Sequence, residues 1–126
     1  MATQKTSKLR ILVGDDQIGL IGSPSNLTFM DNYKDIANFD FETDPDITIE
    51  RARVERYDAI ISDLAYAEQR TAGYRVLDAI KDLVPIRILH SGESNEAIQE
   101  GYRHGATHCI QKGIMPEELE KILQEN

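Results

Sequence analysis

The chain has 126 residues, enough for one domain with a hydrophobic core of its own. Its 14 lysines and arginines against 22 acidic residues leave a net charge of −8, which argues against a nucleic-acid partner because phosphates would be repelled. One cysteine excludes an internal disulfide and is typical of a reducing compartment, and no apolar run reaches the roughly 20 residues of a membrane helix. We therefore expect a cytoplasmic protein with no membrane partner, made of a polar lead-in at residues 1–8 and one folded domain at residues 9–126.

The first half of the chain predicts two strands, each followed by a helix. Leu9–Val13 is an apolar run typical of a buried strand. The Ser-Pro pair at residues 23–24 provides an N-cap and a first-turn proline, and apolar residues then recur at helical spacing. Phe39–Thr43 alternates with a period of two and predicts a strand at the sheet edge. Asp46 is a suitable cap for a helix that continues to about Arg56.

The second half repeats this alternation three times. Short, nearly continuous apolar runs predict three further strands, at Tyr57–Ser62, Ile86–His90 and Thr107–Gln111. Helical spacing follows each of them, in Gly73–Leu83, in a segment from Ser94 or Asn95 to His104, and in a last helix opened by Pro116. Gly105 follows the second of these helices at the position where a glycine commonly ends a helix.

Together these elements form a β–α unit repeated five times. Such alternation predicts a parallel sheet with helices on both faces, and right-handed crossovers leave few ways to order its strands. For a chain of this length we predict the flavodoxin-like, doubly wound α/β fold, with five strands in the order 2-1-3-4-5.

Four of the predicted strands are followed by side chains suited to phosphate chemistry. Asp15 and Asp16 follow the first strand, and Asp63 lies at the end of the third. Ser91 follows the fourth strand, and Lys112 lies at the end of the fifth. Open α/β sheets bind ligands at the carboxyl ends of their strands, where the strand order reverses. We therefore expect three carboxylates, one hydroxyl and one ammonium to lie close together.

This group of side chains predicts phosphoryl transfer. Three neighbouring carboxylates repel one another unless one is protonated or a divalent cation neutralises them, and oxygen ligands suit Mg²⁺. One carboxylate can act as a nucleophile toward phosphorus and form an aspartyl phosphate. A lysine and a metal ion can then stabilise the charge on the phosphoryl oxygens, and a serine hydroxyl can add a hydrogen bond.

The motifs around these residues resemble those of receiver domains of two-component response regulators, in the single-domain, chemotaxis-regulator-like form. The matching segments are VGDD (13–16), IISDL (60–64), LHSGE (89–93) and GATHCIQK (105–112). Their spacing matches as well, with 47 residues from Asp16 to Asp63, 28 more to Ser91 and 21 more to Lys112. The resemblance covers nearly the whole chain.

The resemblance implies a role for each motif residue. Asp63 is the phosphoacceptor, and its phosphoryl group comes from a histidine kinase or a phosphotransfer protein. Ser91 is the switch hydroxyl, and Lys112 pairs first with Asp63 and then with its phosphoryl group. The implied Mg²⁺ ligands are Asp15, Asp16, Asp63 and the main-chain carbonyl of Ala65.

Two positions depart from the pattern of that family. Cys109 stands where an aromatic residue usually takes part in the switch, and Gly113 stands where a proline usually follows the lysine. We expect weak coupling through Cys109, with His108 or Tyr102 as another group that reports the state. We also expect a trans Lys112–Gly113 bond, because a non-proline cis bond costs roughly 2.5–4 kcal/mol. The loop after Asp63 departs too, because it lacks the usual Met-Pro pair and its glycine comes about two residues late.

Charged residues near the predicted second helix suggest a solvated surface without a specific role. Three arginines alternate with two glutamates there: Glu50, Arg51, Arg53, Glu55 and Arg56. A run of mixed charges is typical of an exposed helix face, so we expect these side chains to point into solvent.

Three hypotheses for function remain open at this stage. The first is a phosphoaccepting signalling module, not an enzyme, with no output domain of its own, that acts by protein–protein contact through the predicted fourth helix, fifth strand and fifth helix. The second is a receiver-like interaction module whose output does not depend on phosphorylation. The third is a Mg²⁺-dependent phosphatase that uses an aspartyl phosphate, which Ala65 disfavours because such enzymes usually need a second aspartate there.

Overall fold

The computed structural model describes residues 8–14, 37–64, 71–91, 95–111 and 121–122. The elements within these residues alternate as the sequence predicts. In chain order they are β1 (Leu9–Gly14), β2 (Ala37–Glu42), α1 (Pro45–Val54), β3 (Ala59–Asp63), α2 (Ala72–Ile80), β4 (Ile86–Ser91), α3 (Asn95–Arg103) and β5 (His108–Gln111). None of the helices within these ranges has the length and apolar character needed to cross a membrane.

All five strands form one parallel sheet in the order β2-β1-β3-β4-β5. The register places Ile11 of β1 opposite Phe39 of β2 on one side and Ala59 of β3 on the other. This confirms the predicted flavodoxin-like strand order and the predicted edge position of the second strand. All five residues of β3 are buried, because neighbouring strands flank it and both of its faces are covered.

The sheet separates two hydrophobic layers, because successive side chains of a strand point to opposite faces. Ile11 and Val13 belong to one layer, and Leu12, which lies between them, belongs to the other. The first layer also contains Ile61, Ile88, Ile110 and Ile122. The second layer is completed by residues of α1 and α2 and the segments beside them, among them Ile49, Ala52, Tyr57, Val76 and Ile80.

Helix α1 begins one residue before the predicted capping aspartate, so the assignment of Asp46 as the cap was wrong. Asp44 is the N-cap, and its Oδ1 accepts hydrogen bonds from the main-chain nitrogens of Asp46 at 2.8 Å and Ile47 at 3.1 Å. Pro45 takes the first helical position, where its missing N–H costs nothing because that group has no partner within a helix. The helix ends at Val54, two residues before the predicted end.

The predicted solvated face of this helix is wrong for Arg51 and Glu55. The Arg51 guanidinium lies 3.3 Å from Asp40 Oδ2, 3.3 Å from Glu55 Oε2 and 3.7 Å from Glu42 Oε1. Arg10 of β1 joins the same network through Glu55 Oε1 at 2.9 Å. The edge strand β2 places its carboxylates beside the helix, which the charge pattern of the helix alone does not reveal. The predicted exposure is confirmed for Glu50, Arg53 and Arg56.

Tyr57 lies beneath this network and is 2 % exposed. Its hydroxyl donates to Asp40 Oδ2 at 2.8 Å, and the Arg10 guanidinium lies 4.7 Å from the centre of its ring. Burial raises the pKa of the Tyr57 phenol well above its ordinary value, and the hydrogen bond to Asp40 adds to the increase. The amino end of β3 is therefore held by a buried aromatic ring together with an ion-pair network.

Two predicted helices lie mainly outside the described residues. The helix expected after residues 23–24 lies wholly outside them. Of the helix expected after Pro116, the structure describes Lys121 and Ile122, both in helical conformation. Ile122 is 5 % exposed and packs into the first hydrophobic layer, where its predicted apolar position places it.

Candidate functional site

Asp63 is the last residue of β3 and is 7 % exposed. Its register partner in β4 is His90, and the preceding residue, Ser62, is the register partner of Gly14 at the end of β1. Strands β1, β3 and β4 thus end at the same edge of the sheet. This is the edge at which the sequence predicts the phosphate chemistry.

The remaining predicted site residues lie largely outside the described part of the chain. Asp15, Asp16, Ala65, Lys112 and Gly113 fall there, and so does the predicted trans Lys112–Gly113 bond. The main chain of Ser91 is described as the last residue of β4, opposite Gln111 of β5, and nothing is stated about its side chain. Among the predicted Mg²⁺ ligands, Asp63 is the one that lies within the described residues.

Helix α2 packs directly against the main chain of Asp63. The Gly73 N–H donates to the carbonyl of Leu64 at 2.7 Å. A Cβ atom on Gly73 would lie 2.3 Å from the main-chain oxygen of Asp63 and 2.7 Å from Leu64 Cα. Both distances are far shorter than van der Waals contact, so no side chain fits at position 73. A glycine therefore lets the helix approach the candidate phosphoacceptor this closely.

The residue after this glycine connects α2 with α3. The Tyr74 ring packs against a small hydrophobic cluster that includes Leu64, the residue after Asp63, and Leu89 of β4. The Tyr74 hydroxyl donates to the main-chain carbonyl of Ala97 in the first turn of α3. Tyr74 carries no recognisable signal in the sequence, because Ala97 is 23 positions further along the chain and no local pattern relates the two.

His104 supports the same contact from the end of α3. Its ring stacks on the Tyr74 ring with centroids 4.5 Å apart and an angle of 16° between the planes. Its Nδ1 lies 2.8 Å from Asp78 Oδ2 of α2, and its Nε2 lies 3.3 Å from Glu100 Oε2. Helices α2 and α3 are thus joined at two levels, by a tyrosine hydroxyl near the start of α3 and by a histidine just past its end.

Cys109 of β5 lies half-buried beneath α3. Its thiol donates to the main-chain carbonyl of Ile98 at 3.1 Å. A Cβ atom on Gly101 would lie 3.2 Å from the Cys109 sulfur, so the helix lies close to this strand. Tyr102, which is 47 % exposed, interacts with Cys109 through its phenol. The position that departs from the receiver pattern is therefore filled by a small thiol with a neighbouring aromatic ring.

We expect the Cys109 thiol to react slowly with alkylating reagents at pH 8. Burial raises its pKa to about 11, above the ordinary value of 9.0, so little reactive thiolate forms. Between about pH 9 and pH 11 the unfolded chain loses this proton while the folded chain keeps it, so the free energy of unfolding falls as the pH rises. Timed iodoacetamide labelling of the folded and the urea-unfolded protein measures the difference. Equal rates would contradict the assignment.

Within the residues that the structure describes, no three His, Cys, Asp or Glu side chains converge in a way that could hold a metal ion. His104 and His108 have separate partners, Asp78 for the first and the Thr107 hydroxyl, 3.0 Å away, for the second. The predicted Mg²⁺ ligands other than Asp63 lie in the segments outside those residues. The Mg²⁺ site therefore stays a prediction.

Comparison with known proteins gave matches of structure only. No protein-family model matches the chain, and no curated protein matches it. Among solved structures, the receiver domain of Francisella response regulator 1452 has a TM-score of 0.75 at 16 % identity, covering 94 % of this chain and 95 % of that one. The receiver domain of a sensor histidine kinase from Pseudomonas aeruginosa, with magnesium coordinated in its active-site cleft, has a TM-score of 0.72 at 20 % identity, covering 94 % and 97 %.

A third similar structure carries the modification expected of such a site. It is a response regulator protein from Burkholderia pseudomallei with a phosphorylated aspartic acid, a calcium ion and citrate. Its TM-score is 0.72 at 17 % identity, covering 94 % of this chain and 68 % of that one. Together with the strand order and the position of Asp63, these similarities show that the chain has the fold of response-regulator receiver domains.

Proposed function

We propose that this chain is a phosphoaccepting receiver in a two-component phosphorelay, with Asp63 as the phosphoacceptor. The supporting observation is the placement of a largely buried carboxylate at the carboxyl end of an inner strand, at the edge where three strands end. A structurally similar protein carries a phosphorylated aspartic acid. The phosphoryl donor in this proposal is a histidine kinase or a histidine phosphotransfer protein.

In the proposed reaction, a carboxylate oxygen of Asp63 attacks the phosphorus atom, and the donor group leaves with the electron pair of the broken bond. The residues proposed to hold Mg²⁺ are Asp15, Asp16, Asp63 and the main-chain carbonyl of Ala65. This cation would neutralise charge that develops on the phosphoryl oxygens. Lys112 and the Ser91 hydroxyl would bind the same oxygens after transfer. Similar structures contain magnesium or calcium, which supports a divalent cation, and the choice of Mg²⁺ rests on the oxygen donor set.

The proposed output is protein–protein contact at the surface formed by α3, β5 and the predicted last helix. The domain would act as a signalling module, not as an enzyme with its own substrate. Its single cysteine, which has no internal disulfide partner, suits the reducing cytoplasm. The excess of acidic residues is unfavourable for binding nucleic acid.

Phosphorylation by a small donor tests the proposal directly. The protein is incubated with acetyl phosphate and Mg²⁺, and its intact mass is measured. We expect one base-labile phosphate on the wild type and none on Asp63→Asn, with the exposed Asp82→Asn as a matched control that keeps the wild-type yield. The same phosphate yield on Asp63→Asn and the wild type would refute the assignment of Asp63. Omission of Mg²⁺ should abolish the reaction, because the neighbouring negative charges are then not neutralised.

A second function is favoured by one observation, the presence of Cys109 where receiver domains usually carry a switch aromatic. In this alternative the chain is a receiver-like interaction module whose output does not depend on phosphorylation. The Cys109 thiol donates to the Ile98 carbonyl of α3, a contact between strand and helix that involves no movable ring. Equal affinity of wild-type and Asp63→Asn protein for the same partner, with and without acetyl phosphate, would favour this alternative.

A further inference from the structure

A continuous set of contacts leads from Asp63 to helix α3 through two adjacent residues of α2. Gly73 lies against the main-chain oxygen of Asp63, and its N–H bonds to Leu64. A shift of the strand end would therefore be transmitted to the first turn of α2, since these contacts are between main-chain atoms and no side-chain rotation can absorb the movement. Tyr74 follows directly on this turn.

Tyr74 carries the connection from α2 to α3. Its ring packs in the cluster formed around Leu64, Leu89 and Cys109, and its hydroxyl donates to the Ala97 carbonyl. A tyrosine side chain has two rotatable torsions and an otherwise rigid ring, so a displacement of α2 moves the hydroxyl with it. The stacking of His104 on the same ring opposes rotation of the ring out of this position. The first turn of α3 is thus linked to the strand end that bears Asp63.

We propose that Tyr74 is the positioning residue that couples the phosphorylation state of Asp63 to helix α3. The proposal rests on the proposed function of Asp63 and adds a route for its output. Cys109 of β5 has no ring, and the proposal gives the role of the switch aromatic to Tyr74 of α2, which packs in the same small cluster as Cys109. The competing assignment is Tyr102 of α3, whose phenol interacts with Cys109.

Tyr74→Phe tests the proposal, because it removes the hydroxyl while keeping the ring and its stacking on His104. Amide hydrogen exchange of α3 is measured with and without acetyl phosphate and Mg²⁺, and the phosphate yield is measured on the same samples. We expect Tyr74→Phe to reach the wild-type yield of phosphorylated Asp63. The change in α3 amide exchange on phosphorylation should be about fivefold smaller than in the wild type, because the loss of one ordinary hydrogen bond changes an equilibrium constant by about that factor. An undiminished change in Tyr74→Phe, or no change in phosphorylated wild type, would overturn the proposal.

Two further Tyr→Phe variants serve as controls. Tyr57→Phe removes a buried hydroxyl that bonds to Asp40 at the opposite end of β3, and it reports the effect of lost stability alone. Tyr102→Phe removes the hydroxyl of the competing residue. Both should keep the wild-type change of α3 exchange on phosphorylation. Loss of that change in Tyr102→Phe with retention in Tyr74→Phe would assign the coupling to Tyr102.

A double-mutant cycle separates this proposal from the proposed function. The protection of α3 amides is compared in wild type, Asp63→Asn, Tyr74→Phe and the double variant, without any phosphoryl donor. Coupling predicts that the two effects are not additive, and additive effects would overturn it. If the wild type accepts no phosphoryl group, the proposed function fails, while the cycle still decides whether the strand end and α3 are linked through Tyr74.

Discussion

Gly73→Ala is expected to destabilise the fold and to lower the rate of phosphorylation at Asp63. The added methyl group would lie 2.3 Å from the main-chain oxygen of Asp63, so either the strand end or helix α2 must move. Overpacking of this kind costs roughly 1–3 kcal/mol. The better helix propensity of alanine offsets less than about 1 kcal/mol of that cost. Urea unfolding and the initial rate of acetyl phosphate labelling measure the two effects.

Gly101→Ala is the matched control for this substitution. Its added methyl group would meet the Cδ2 atom of Leu89 at 2.6 Å, and the end of a side chain yields more easily than the main chain that faces Gly73. We expect a smaller loss of stability than for Gly73→Ala and an unchanged labelling rate. If both variants lost the same stability and labelled at the wild-type rate, the contact between Gly73 and Asp63 would have no positioning role.

Tyr57→Ala is expected to destabilise the fold more than Gly73→Ala does. It removes a fully buried aromatic ring, which typically costs about 3–5 kcal/mol, from a total that is usually about 5–15 kcal/mol. Tyr57→Phe keeps the ring and loses the bond to Asp40, which Arg10 and Arg51 still pair, so its cost should be about 1 kcal/mol. Urea unfolding at pH 7 measures both, and a loss for Tyr57→Ala no larger than that for Tyr57→Phe would contradict the ring's role in the core.

The pH dependence of stability provides an independent check on Tyr57. Its pKa is raised in the folded protein, above the ordinary value of 10.0, so above about pH 10 the unfolded chain loses the phenol proton first. The free energy of unfolding therefore falls as the pH rises through this range. Tyr57→Phe should show a weaker fall, with the parts due to Cys109 and Tyr102 remaining, because the pKa values of both are also raised by burial. Parallel curves for the two proteins above pH 10 would contradict the raised pKa.

The fold was predictable because each strand carries its own local signal. Apolar runs such as Leu9–Val13 and Ile86–His90 differ from the observed strands by one residue at one end. The predicted third strand begins at Tyr57, two residues before the observed start at Ala59. An aromatic residue beside an apolar run resembles strand sequence, whether it belongs to the sheet or packs beneath a helix. The cap of α1 is also set locally, because Pro45 takes the first helical position and Asp44, directly before it, is therefore the N-cap.

The surroundings of the candidate site were less predictable because they depend on tertiary contacts. The strand-end position of Asp63 follows from the sequence pattern, and the structure confirms that position. The contact of Gly73 with its carbonyl and the bond from Tyr74 to Ala97 require the packing of α2, which no spacing rule encodes. The misassigned exposure of Arg51 has the same origin, since its carboxylate partners lie on a different strand.

The sheet register also determines when the first strand can be buried during synthesis. Strand β1 lies between β2 and β3, and Ile11 meets its β3 partner Ala59 48 positions later in the chain. At about 5–20 residues per second, a ribosome takes roughly 2–10 s to add that partner. Until then Ile11–Val13 is an apolar segment with at most one neighbouring strand, and such segments are the ones that aggregate or bind chaperones. Strand β1 therefore gains its second neighbouring strand only after residue 63 has left the ribosome, well ahead of completion of the sheet.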